Sequence, residues 1–304
     1  MPLFSIILPC FNAAATLPET LLTLSVQTFT DWELLCIDDG STDETSSILA
    51  RAAAGDARIR VIRNPGKGPS AARNLALTEA RGEIFAFCDA DDLWVPQKLS
   101  IMAALMRDKG IDGAYARVQF FSETRSRSLS TVPQGLLSVA MLLSENPVCT
   151  MSNVVIRAGA FRKVGGFDEN LVFNEDLEWL IRLVAQGHRI MGIDETLVFY
   201  RTSTSGLSSD LIAMYTSRQA ALFTAMLYGY VPDDRAEAIY LRYLARRALR
   251  VGAPGFTAMR YVIAGMMTST RGFFSGGTRG VLTFAAALIA PLLPTALRRR
   301  LFAC

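Results

Sequence analysis

The chain has 304 residues, 51% of them hydrophobic, and carries 31 Lys and Arg against 28 Asp and Glu. This length suits one large α/β domain or a domain with an appendage. A single histidine, His188, excludes His-based triads and His-rich metal sites. Five cysteines without a CxxC pair favour reduced thiols in a cytosolic protein over disulfides or a zinc site.

The charge is divided unevenly along the chain. Residues 1–210 carry six more acidic than basic residues, whereas residues 211–304 carry nine more basic than acidic ones. A tail rich in Arg and apolar residues predicts an anionic partner, either lipid head groups or nucleic acid. An exposed helix face that is merely basic is the alternative.

The first half of the chain alternates short apolar strands with amphipathic helices, the pattern of a mostly parallel sheet. The predicted strands are residues 4–8, 33–37, 59–63 and 83–88. Capping boxes at residues 16–19 and 41–44 predict the starts of the first two helices, and the third is predicted at residues 70–80.

From about residue 110 the pattern becomes mixed. Further strands are predicted at residues 114–121, 153–157 and 197–201, with a helix at 175–186. After Ser209 the chain reads as helices rich in Ala, Leu and Arg, without further strands.

Two of the predicted strands end in acidic clusters. Asp38 and Asp39 follow the second strand, and Asp89, Asp91 and Asp92 follow the fourth. Because ligands of open parallel sheets bind beyond the carboxyl ends of the strands, both clusters are expected to open onto one crevice.

The cluster at residues 89–92 has the composition of a site for a hard divalent cation. Keeping three carboxylates ionised within four residues is energetically unfavourable unless a cation or hydrogen-bond donors compensate their charge. Mg²⁺ or Mn²⁺ bridged to a substrate diphosphate satisfies this need, and a solvated acidic turn is the alternative. Asp38 and Asp39 have two interpretations as well: contact with a base or ribose, or a turn before a helix.

Two further segments carry candidate residues. The glycine-bearing loop at residues 64–74 leads into a helix with Arg73, and backbone amides at a helix start suit phosphate. Glu175 and Asp176 stand in the first turn of a predicted helix, where acidic residues serve the helix dipole. An aspartate there also suits a general base if it faces the crevice.

Together these segments resemble the family-two glycosyltransferases of the GT-A fold. The matches, in chain order, are residues 5–12 (SIILPCFN), 24–29 (LSVQTF), 37–43 (IDDGSTD), 72–74 (ARN), 81–92 (RGEIFAFCDADD), 166–169 (GFDE), 175–176 (ED), 200–201 (YR) and 205–208 (SGLS). Each match is short, and their order over residues 3–208 carries the resemblance.

The resemblance implies an α/β fold, with a GT-A-type, mostly parallel mixed sheet flanked by helices and a helical C-terminal extension. It implies a catalytic domain at residues 1–209, with a nucleotide-binding half at 1–110 and an acceptor half at 111–209. Residues 210–304 are expected to form the basic, apolar helical tail.

The resemblance also implies roles for individual residues. Asp91 and Asp92 are expected to bind the metal, Mn²⁺ or Mg²⁺. Asp176 is expected to deprotonate the acceptor hydroxyl, with Glu175 as the next candidate. The implied contacts to the nucleotide-sugar donor are Pro9, Asn12, Asp38, Asp39, Arg73 and Asp89.

The implied reaction is a single displacement with inversion, from a nucleotide-sugar (a UDP-sugar is favoured) to a carbohydrate or lipid-linked saccharide in surface polysaccharide synthesis. No Gln-x-x-Arg-Trp follows Asp176, so we expect one sugar to be added per visit. The alternatives are a nucleotidyltransferase, which would carry a Gly- and Arg/Lys-rich N-terminal loop, and a catalytically silent nucleotide-sugar binding module.

The tail supplies the last prediction. Residues 281–297 are nearly all apolar and precede three arginines, which favours an interfacial segment, with peripheral membrane contact through residues 271–304, over a membrane-spanning helix. A packed helical subdomain with a buried C-terminal hairpin is an equally weighted alternative. The tail lacks the lysines and interleaved aromatics of a nucleic-acid binder. The N-terminus lacks the basic region of a signal peptide. We therefore expect a cytoplasmic protein at the inner face of the cell membrane.

Overall fold

A computed structural model describes residues 1–122, 128–202 and 210–302. The segment at 205–208 that contributes to the family resemblance lies outside the described residues. The described chain forms two compact units. The first comprises residues 1–121, 128–137 and 147–201, and the second comprises residues 122, 138–146, 202 and 210–302.

The first unit is built on a nine-stranded sheet. Its strands are β1 (Phe4–Cys10), β2 (Trp32–Asp38), β3 (Ile59–Arg63), β4 (Ile84–Phe87), β5 (Leu93–Trp94), β6 (Gly113–Phe121), β7 (Ser128–Leu129), β8 (Val155–Arg157) and β9 (Ile190–Arg201). They lie in the order β3-β2-β1-β4-β8-β6-β9-β5, and β7 pairs with β6. The first four are parallel to one another, whereas β8 runs antiparallel to β4 and β6.

The helices divide between the two units. They are α1 (Leu17–Ser25), α2 (Thr45–Gly55), α3 (Pro69–Glu79), α4 (Lys98–Leu105), α5 (Val139–Ser144), α6 (Ala158–Val164), α7 (Glu175–Ala185), α8 (Leu211–Leu227), α9 (Asp234–Arg250), α10 (Gly255–Phe274), α11 (Thr278–Ile289) and α12 (Thr295–Phe302). Of these, α5 and α8 to α12 belong to the second unit.

Apolar sequence explains the centre of the sheet. Every residue of β2 is buried, and β4 is a run of four buried apolar residues. Parallel strands covered on both faces read as continuous apolar runs instead of alternating ones. The helices α1 and α3 pack near these strands through their buried residues, Leu17, Leu24, Ala72 and Ala76 among them.

The predicted strands are all present, and β3 has the predicted bounds. The strand predicted at 197–201 begins seven residues earlier, at Ile190, where Gly192, Asp194 and Glu195 interrupt the apolar pattern that sequence reasoning depends on. A register irregularity against β6 near Ala116 accommodates this interrupted half.

The capping box predicted at residues 41–44 is wrong. Helix α2 begins at Thr45 with Glu44 at its N-cap, and no side chain caps it. The Ser41 hydroxyl accepts a hydrogen bond from the Asn12 amide at 3.1 Å, so it serves the acidic turn and not the helix. Thr16 is at the N-cap of α1 as predicted, but its hydroxyl donates to the Ala90 carbonyl at 2.9 Å.

The second unit is helical throughout its described residues. Its core consists largely of small and aliphatic residues, including Ala238, Leu244, Ala245, Val262 and Ala287, together with the aromatic residues Tyr240 and Phe273. The apolar segment predicted at 281–297 is divided among most of α11, a 3₁₀ turn at Ala290–Leu292 and the start of α12. Pro291 and Pro294 account for the interruption. Among the described helices, none is both long and apolar enough to cross a membrane.

Candidate active site

The ends of three neighbouring parallel strands bring the predicted residues to one edge of the sheet. Cys10 at the end of β1 is in register with Asp38 at the end of β2. The Asp39 amide donates to the Cys10 carbonyl at 2.8 Å, and the Cys88 amide donates to the Ile7 carbonyl at 2.9 Å. The segments after β1, β2 and β4 therefore leave the sheet side by side.

Asp38 is buried and holds the turn that follows β2. Its carboxylate accepts hydrogen bonds from the Ser41 amide at 3.0 Å and from the Ser46 hydroxyl. Burial acts to raise the pKa of Asp38, but the hydrogen bonds from Ser46 and Ser41 outweigh it and lower the pKa. Both carboxylate oxygens are engaged within the protein.

Asp39 connects the end of β2 to the glycine-bearing loop. One carboxylate oxygen accepts from the Asn64 side-chain amide at 2.6 Å, and the other accepts from the Gly68 backbone amide at 2.7 Å. Gly68 has φ of +94°, which L side chains rarely adopt. The contact therefore fixes the loop that leads into α3.

Asn12 lies at the same edge, two residues after the end of β1. Its φ is +46°, and its side-chain oxygen accepts from the Thr42 amide at 2.8 Å. This bond joins the segment after β1 to the acidic turn after β2. Pro9 is half-buried within β1.

Asp89 stands at the centre of a network of polar side chains. Its Oδ1 accepts from Arg73 Nη2 at 2.8 Å, and its amide donates to the Ser152 hydroxyl at 2.8 Å. Arg73 is buried, and its Nη1 donates to Glu175 Oε1 at 2.9 Å. One guanidinium thus joins the carboxylate after β4 to the first residue of α7.

The two carboxylates hold Arg73 in its charged form. Burial alone acts to lower the pKa of Arg73, but Asp89 and Glu175 outweigh it and raise the pKa. Each Nη atom of Arg73 donates to one carboxylate. Arg73 therefore holds Asp89 and Glu175 in fixed positions relative to each other.

Asp92 lies inside the protein. Its Oδ1 accepts from the Arg201 amide at 2.9 Å, and its Oδ2 is 3.4 Å from the Thr150 hydroxyl. Burial, followed by the charges of Asp91 and Asp89, raises the pKa of Asp92 well above its ordinary value. These contacts anchor the turn after β4 to the end of β9.

Asp91 differs from both neighbours in its cluster. Within the described chain, no other residue donates a hydrogen bond to its carboxylate, while its carbonyl accepts from Arg201 Nε at 3.0 Å. Burial and the charge of Asp89 raise the pKa of Asp91 to about 6, and Arg201 opposes them. The Asp91 carboxylate is therefore the member of the cluster that protein contacts leave open.

This donor set fits a magnesium-type ion that shares its coordination with substrate. In the described parts of the chain, no group of three or more His, Cys, Asp or Glu side chains is arranged to hold a metal. At nucleotide sites Mg²⁺ is usually bound by one or two carboxylates together with substrate phosphates, and does not require a complete set of protein ligands. Asp91, with Asp89 beside it, meets that requirement.

Asp176 follows Glu175 in the first turn of α7. Asn174, with φ of +58°, turns the chain into the helix, and Asp176 Oδ1 accepts from the Leu177 amide at 2.7 Å. Burial and the charge of Glu175 raise the pKa of Asp176 to about 7, whereas Arg73 acts to lower it. A carboxylate with this pKa is suited to accept a proton at neutral pH.

Sequence reasoning missed the residues that support the acidic cluster. The Thr150 hydroxyl is 3.3 Å from Asp89 Oδ2, and the Ser152 carbonyl accepts from Trp94 Nε1 at 3.0 Å and from Lys98 Nζ at 2.5 Å. Burial lowers the pKa of Lys98 to about 7. The sequence feature that could have indicated them is the group of polar residues Thr150, Ser152 and Asn153 shortly before the apolar strand β8.

Comparison with known proteins identifies the family. The model of the family described as Glycosyl transferase family 2 matches residues 5–165, more than half of the chain. The chain belongs to glycosyl transferase family 2. The predicted membership is confirmed.

A curated relative is the UDP-Glc:alpha-D-GlcNAc-diphosphoundecaprenol beta-1,3-glucosyltransferase WfgD of Escherichia coli. It is 34% identical over 133 residues, which cover 43% of this chain and 52% of the relative. The match thus spans about half the length of this E. coli protein.

Two solved structures confirm the predicted GT-A-type fold. One is S. aureus TarS 1-349 in complex with UDP-GlcNAc, with a TM-score of 0.64 and 18% identity over 97% of this chain and 88% of that one. The other is the mannosyltransferase PcManGT from Pyrobaculum calidifontis in complex with GDP-Man and Mn2+, with a TM-score of 0.63 and 17% identity over 99% and 87%. At these identities the likeness concerns the fold alone.

Proposed function

We propose that this protein is an inverting glycosyltransferase that moves one sugar from a nucleotide-sugar to a carbohydrate or lipid-linked saccharide in surface polysaccharide synthesis. The observation that carries the proposal is the Arg73 bridge from Asp89 to Glu175, within a chain of glycosyl transferase family 2. The bridge joins the acidic cluster after β4 to the helix that bears Asp176. We assign the reaction to residues 1–209, with the nucleotide at residues 1–110 and the acceptor at 111–209.

The donor is proposed to lie at the strand ends beside Asn12 and Asp39. The hydrogen bonds from Asn64 and Gly68 orient the Asp39 carboxylate, whose remaining lone pairs are able to accept from a base. A UDP-sugar is favoured, since the name of the E. coli relative specifies UDP-Glc and TarS was solved with UDP-GlcNAc. PcManGT was solved with GDP-Man, so experiment must decide whether the donor of this protein carries uracil or guanine.

Asp91 is the proposed ligand for Mn²⁺ or Mg²⁺. A bound divalent ion would neutralise charge on the departing nucleoside diphosphate. We assign Asp89 to the donor side of the same site. Asp92, predicted from sequence as a second ligand, is proposed instead to position Asp91, because both of its oxygens face protein donors.

Asp176 is the proposed general base. It would accept the proton of the acceptor hydroxyl as that oxygen attacks the anomeric carbon from the face opposite the leaving group, which inverts the configuration. Glu175, the second candidate, is paired with Arg73 and is proposed to act through that arginine.

The acceptor is proposed to be a saccharide carried on a lipid diphosphate at the inner face of the cell membrane. The support is the name of the E. coli relative, which specifies a GlcNAc-diphosphoundecaprenol acceptor. Peripheral membrane contact through residues 271–304 would bring the enzyme to such a substrate.

The test is release of nucleoside diphosphate from UDP-, GDP- and dTDP-sugars with Mn²⁺, Mg²⁺ or EDTA. Wild type should turn over one donor only with metal, and Asp91→Asn and Asp176→Asn should both lose that turnover. Glu195→Gln, an exposed carboxylate on β9, is the matched control and should keep it. Donor binding without turnover in wild type would favour a silent binding module, and no binding at all would refute the donor site.

A further inference from the structure

Helix α11 presents its larger apolar side chains to the outside. Val281, Leu282, Leu288, Ile289 and, just beyond the helix, Leu292 are all exposed. Their spacing of one, seven, eight and eleven residues from Val281 places them on one face. The same helix buries Gly280, Thr283 and Ala287.

Helix α10 shows a similar outward face. Phe256, Ile263 and Met267 are exposed at spacings of seven and four residues, and Met267 is 82% exposed. Up to its kink at Ser269 the helix buries small or β-branched residues, Ala258, Val262 and Gly265, whereas Phe273 is buried beyond the kink. The part of α10 before the kink therefore resembles α11, with compact side chains inward and long apolar ones outward.

Large apolar side chains that point away from the core are the reverse of what the hydrophobic effect favours in water. Burying a Leu, Ile, Met or Phe side chain is favourable, so a helix of a water-soluble protein points such residues at the core. Single exposed apolar residues are ordinary, but an apolar outward face on each of two consecutive helices indicates a partner. In the described chain, most exposed large apolar side chains lie between Ile212 and Leu301.

The charge of this region indicates what the partner is. Residues 238–304 contain ten arginines and no acidic residue. Arg260 is exposed on α10, four residues after Phe256 and three before Ile263, and Arg271 is exposed beyond the kink at Ser269. Cations interspersed with apolar side chains on one face suit a lipid interface, where the chains meet acyl groups and the guanidinium groups meet phosphates.

We propose that the outward faces of α10 and α11 dock the protein on the surface of an anionic lipid bilayer. The proposal rests on the proposed function in one respect, since a lipid-linked acceptor would be presented at such a surface. A second copy of this chain is the less suitable occupant, because a symmetric contact would bring the exposed Arg260 and Arg271 side chains of two copies together.

The test is flotation of the full-length protein with vesicles of phosphatidylglycerol and phosphatidylcholine, compared with phosphatidylcholine alone. Wild type should bind the anionic vesicles and be released by raised salt. The double variant Leu282→Glu/Leu292→Glu, at positions 67% and 82% exposed, should lose at least about tenfold in vesicle binding. Leu22→Glu on α1, a position 60% exposed in the first unit, is the matched control and should bind as wild type does.

A second variant, Met267→Glu on α10, tests the same face independently. Release of nucleoside diphosphate without vesicles should stay at the wild-type rate in every variant, so failure of the docking surface is distinguishable from failure of the proposed reaction. The proposal would be overturned if the wild-type protein does not bind anionic vesicles. It would also be overturned if correctly folded variants bind them as strongly as wild type does. If sedimentation velocity shows a dimer that the variants abolish, without vesicle binding, a second copy occupies the face instead.

Discussion

Arg73 in the first unit and Arg218, the more deeply buried of two buried arginines in the second, have different surroundings. Arg73 in the first unit donates to two carboxylates, Asp89 and Glu175. Arg218 in the second unit donates to Glu237 at 2.7 Å and to the Leu143 carbonyl at 2.6 Å, and its guanidinium lies 3.7 Å from the Tyr240 ring centroid. The first arginine holds acidic groups at the candidate site, whereas the second ties three helices together.

The helices of the two units also differ in the size of the side chains that they bury. In the first unit, α7 buries Trp179, Leu180 and Leu183 and begins with the acidic residues of the candidate site. In the second unit, α11 buries small residues and exposes Leu282 and Ile289. The difference shows that apolar composition alone does not reveal which face of a helix is the interior.

The largest expected effect is on the chemistry of the first unit. Asp176→Asn removes the proposed base while keeping a side chain of the same shape. We expect kcat for sugar transfer to fall by about 10²–10⁴-fold, because proton removal from the acceptor loses its acceptor group. Calorimetry should show unchanged donor binding, and Glu195→Gln should leave kcat unchanged. A variant with wild-type kcat would remove Asp176 from the mechanism.

The second effect concerns the stability of the helical unit. Arg218→Met keeps much of the aliphatic volume but leaves Glu237 and the Leu143 carbonyl without their donor. We expect the free energy of unfolding to fall by about 3 kcal/mol, measured by urea denaturation followed by circular dichroism. Release of nucleoside diphosphate at low temperature should be retained. Loss of that activity in a protein that remains folded would contradict the division between the two arginines.

The third effect is a positioning effect at Arg73. Arg73→Lys keeps the charge, but a single ammonium cannot reproduce the planar fork that reaches both Asp89 and Glu175. We expect kcat to fall about 10–100-fold with a smaller change in KM for the donor.

A double-mutant cycle with Glu175→Gln should show that the two substitutions at the bridge are not additive. If KM rises instead while kcat holds, Arg73 contacts the donor directly, as the family resemblance implied.

The parts of this site that could be predicted are those that the chain encodes locally. Apolar runs mark β1, β2 and β4, and the acidic residues that follow them are adjacent in sequence, so Asp39, Asp89 and Asp91 could be placed at one edge. The family resemblance suggested Asp176, and no local pattern distinguishes it from a helix-capping residue.

The rest depends on contacts between residues far apart in sequence. Asp92 and Asp91 are neighbours of the same type, and contacts from the Thr150 hydroxyl and the Arg201 amide, 58 and 109 residues away, show which one is buried. Thr150 and Ser152 reach the cluster from 61 and 63 residues beyond Asp89. The sequence also could not show that the large apolar residues of α11 face outward, because the helical period is the same whichever face packs inward.

The smallest effect is a pH dependence of stability that tests whether the charges of the first unit serve function at the expense of folding. The pKa of Asp176 is raised to about 7 in the folded protein, whereas an unfolded aspartate titrates at about 3.9. The folded state therefore holds this proton more tightly, so its stabilising contribution is present below about pH 4 and is lost as the pH rises to about 7. Asp176→Asn, which does not ionise, should be more stable than wild type at pH 8 by about 1 kcal/mol and no more stable near pH 4.

Urea denaturation at the two pH values measures this difference, and Glu195→Gln should show none. A variant that is less stable than wild type at pH 8 would mean that Asp176 is a stabilising helix residue. The contrast with Arg218 would then fail, since the charges of both units would serve the fold. The predicted outcome, a variant that gains stability and loses transfer, is expected only if the site keeps Asp176 in an unfavourable environment for the sake of its pKa.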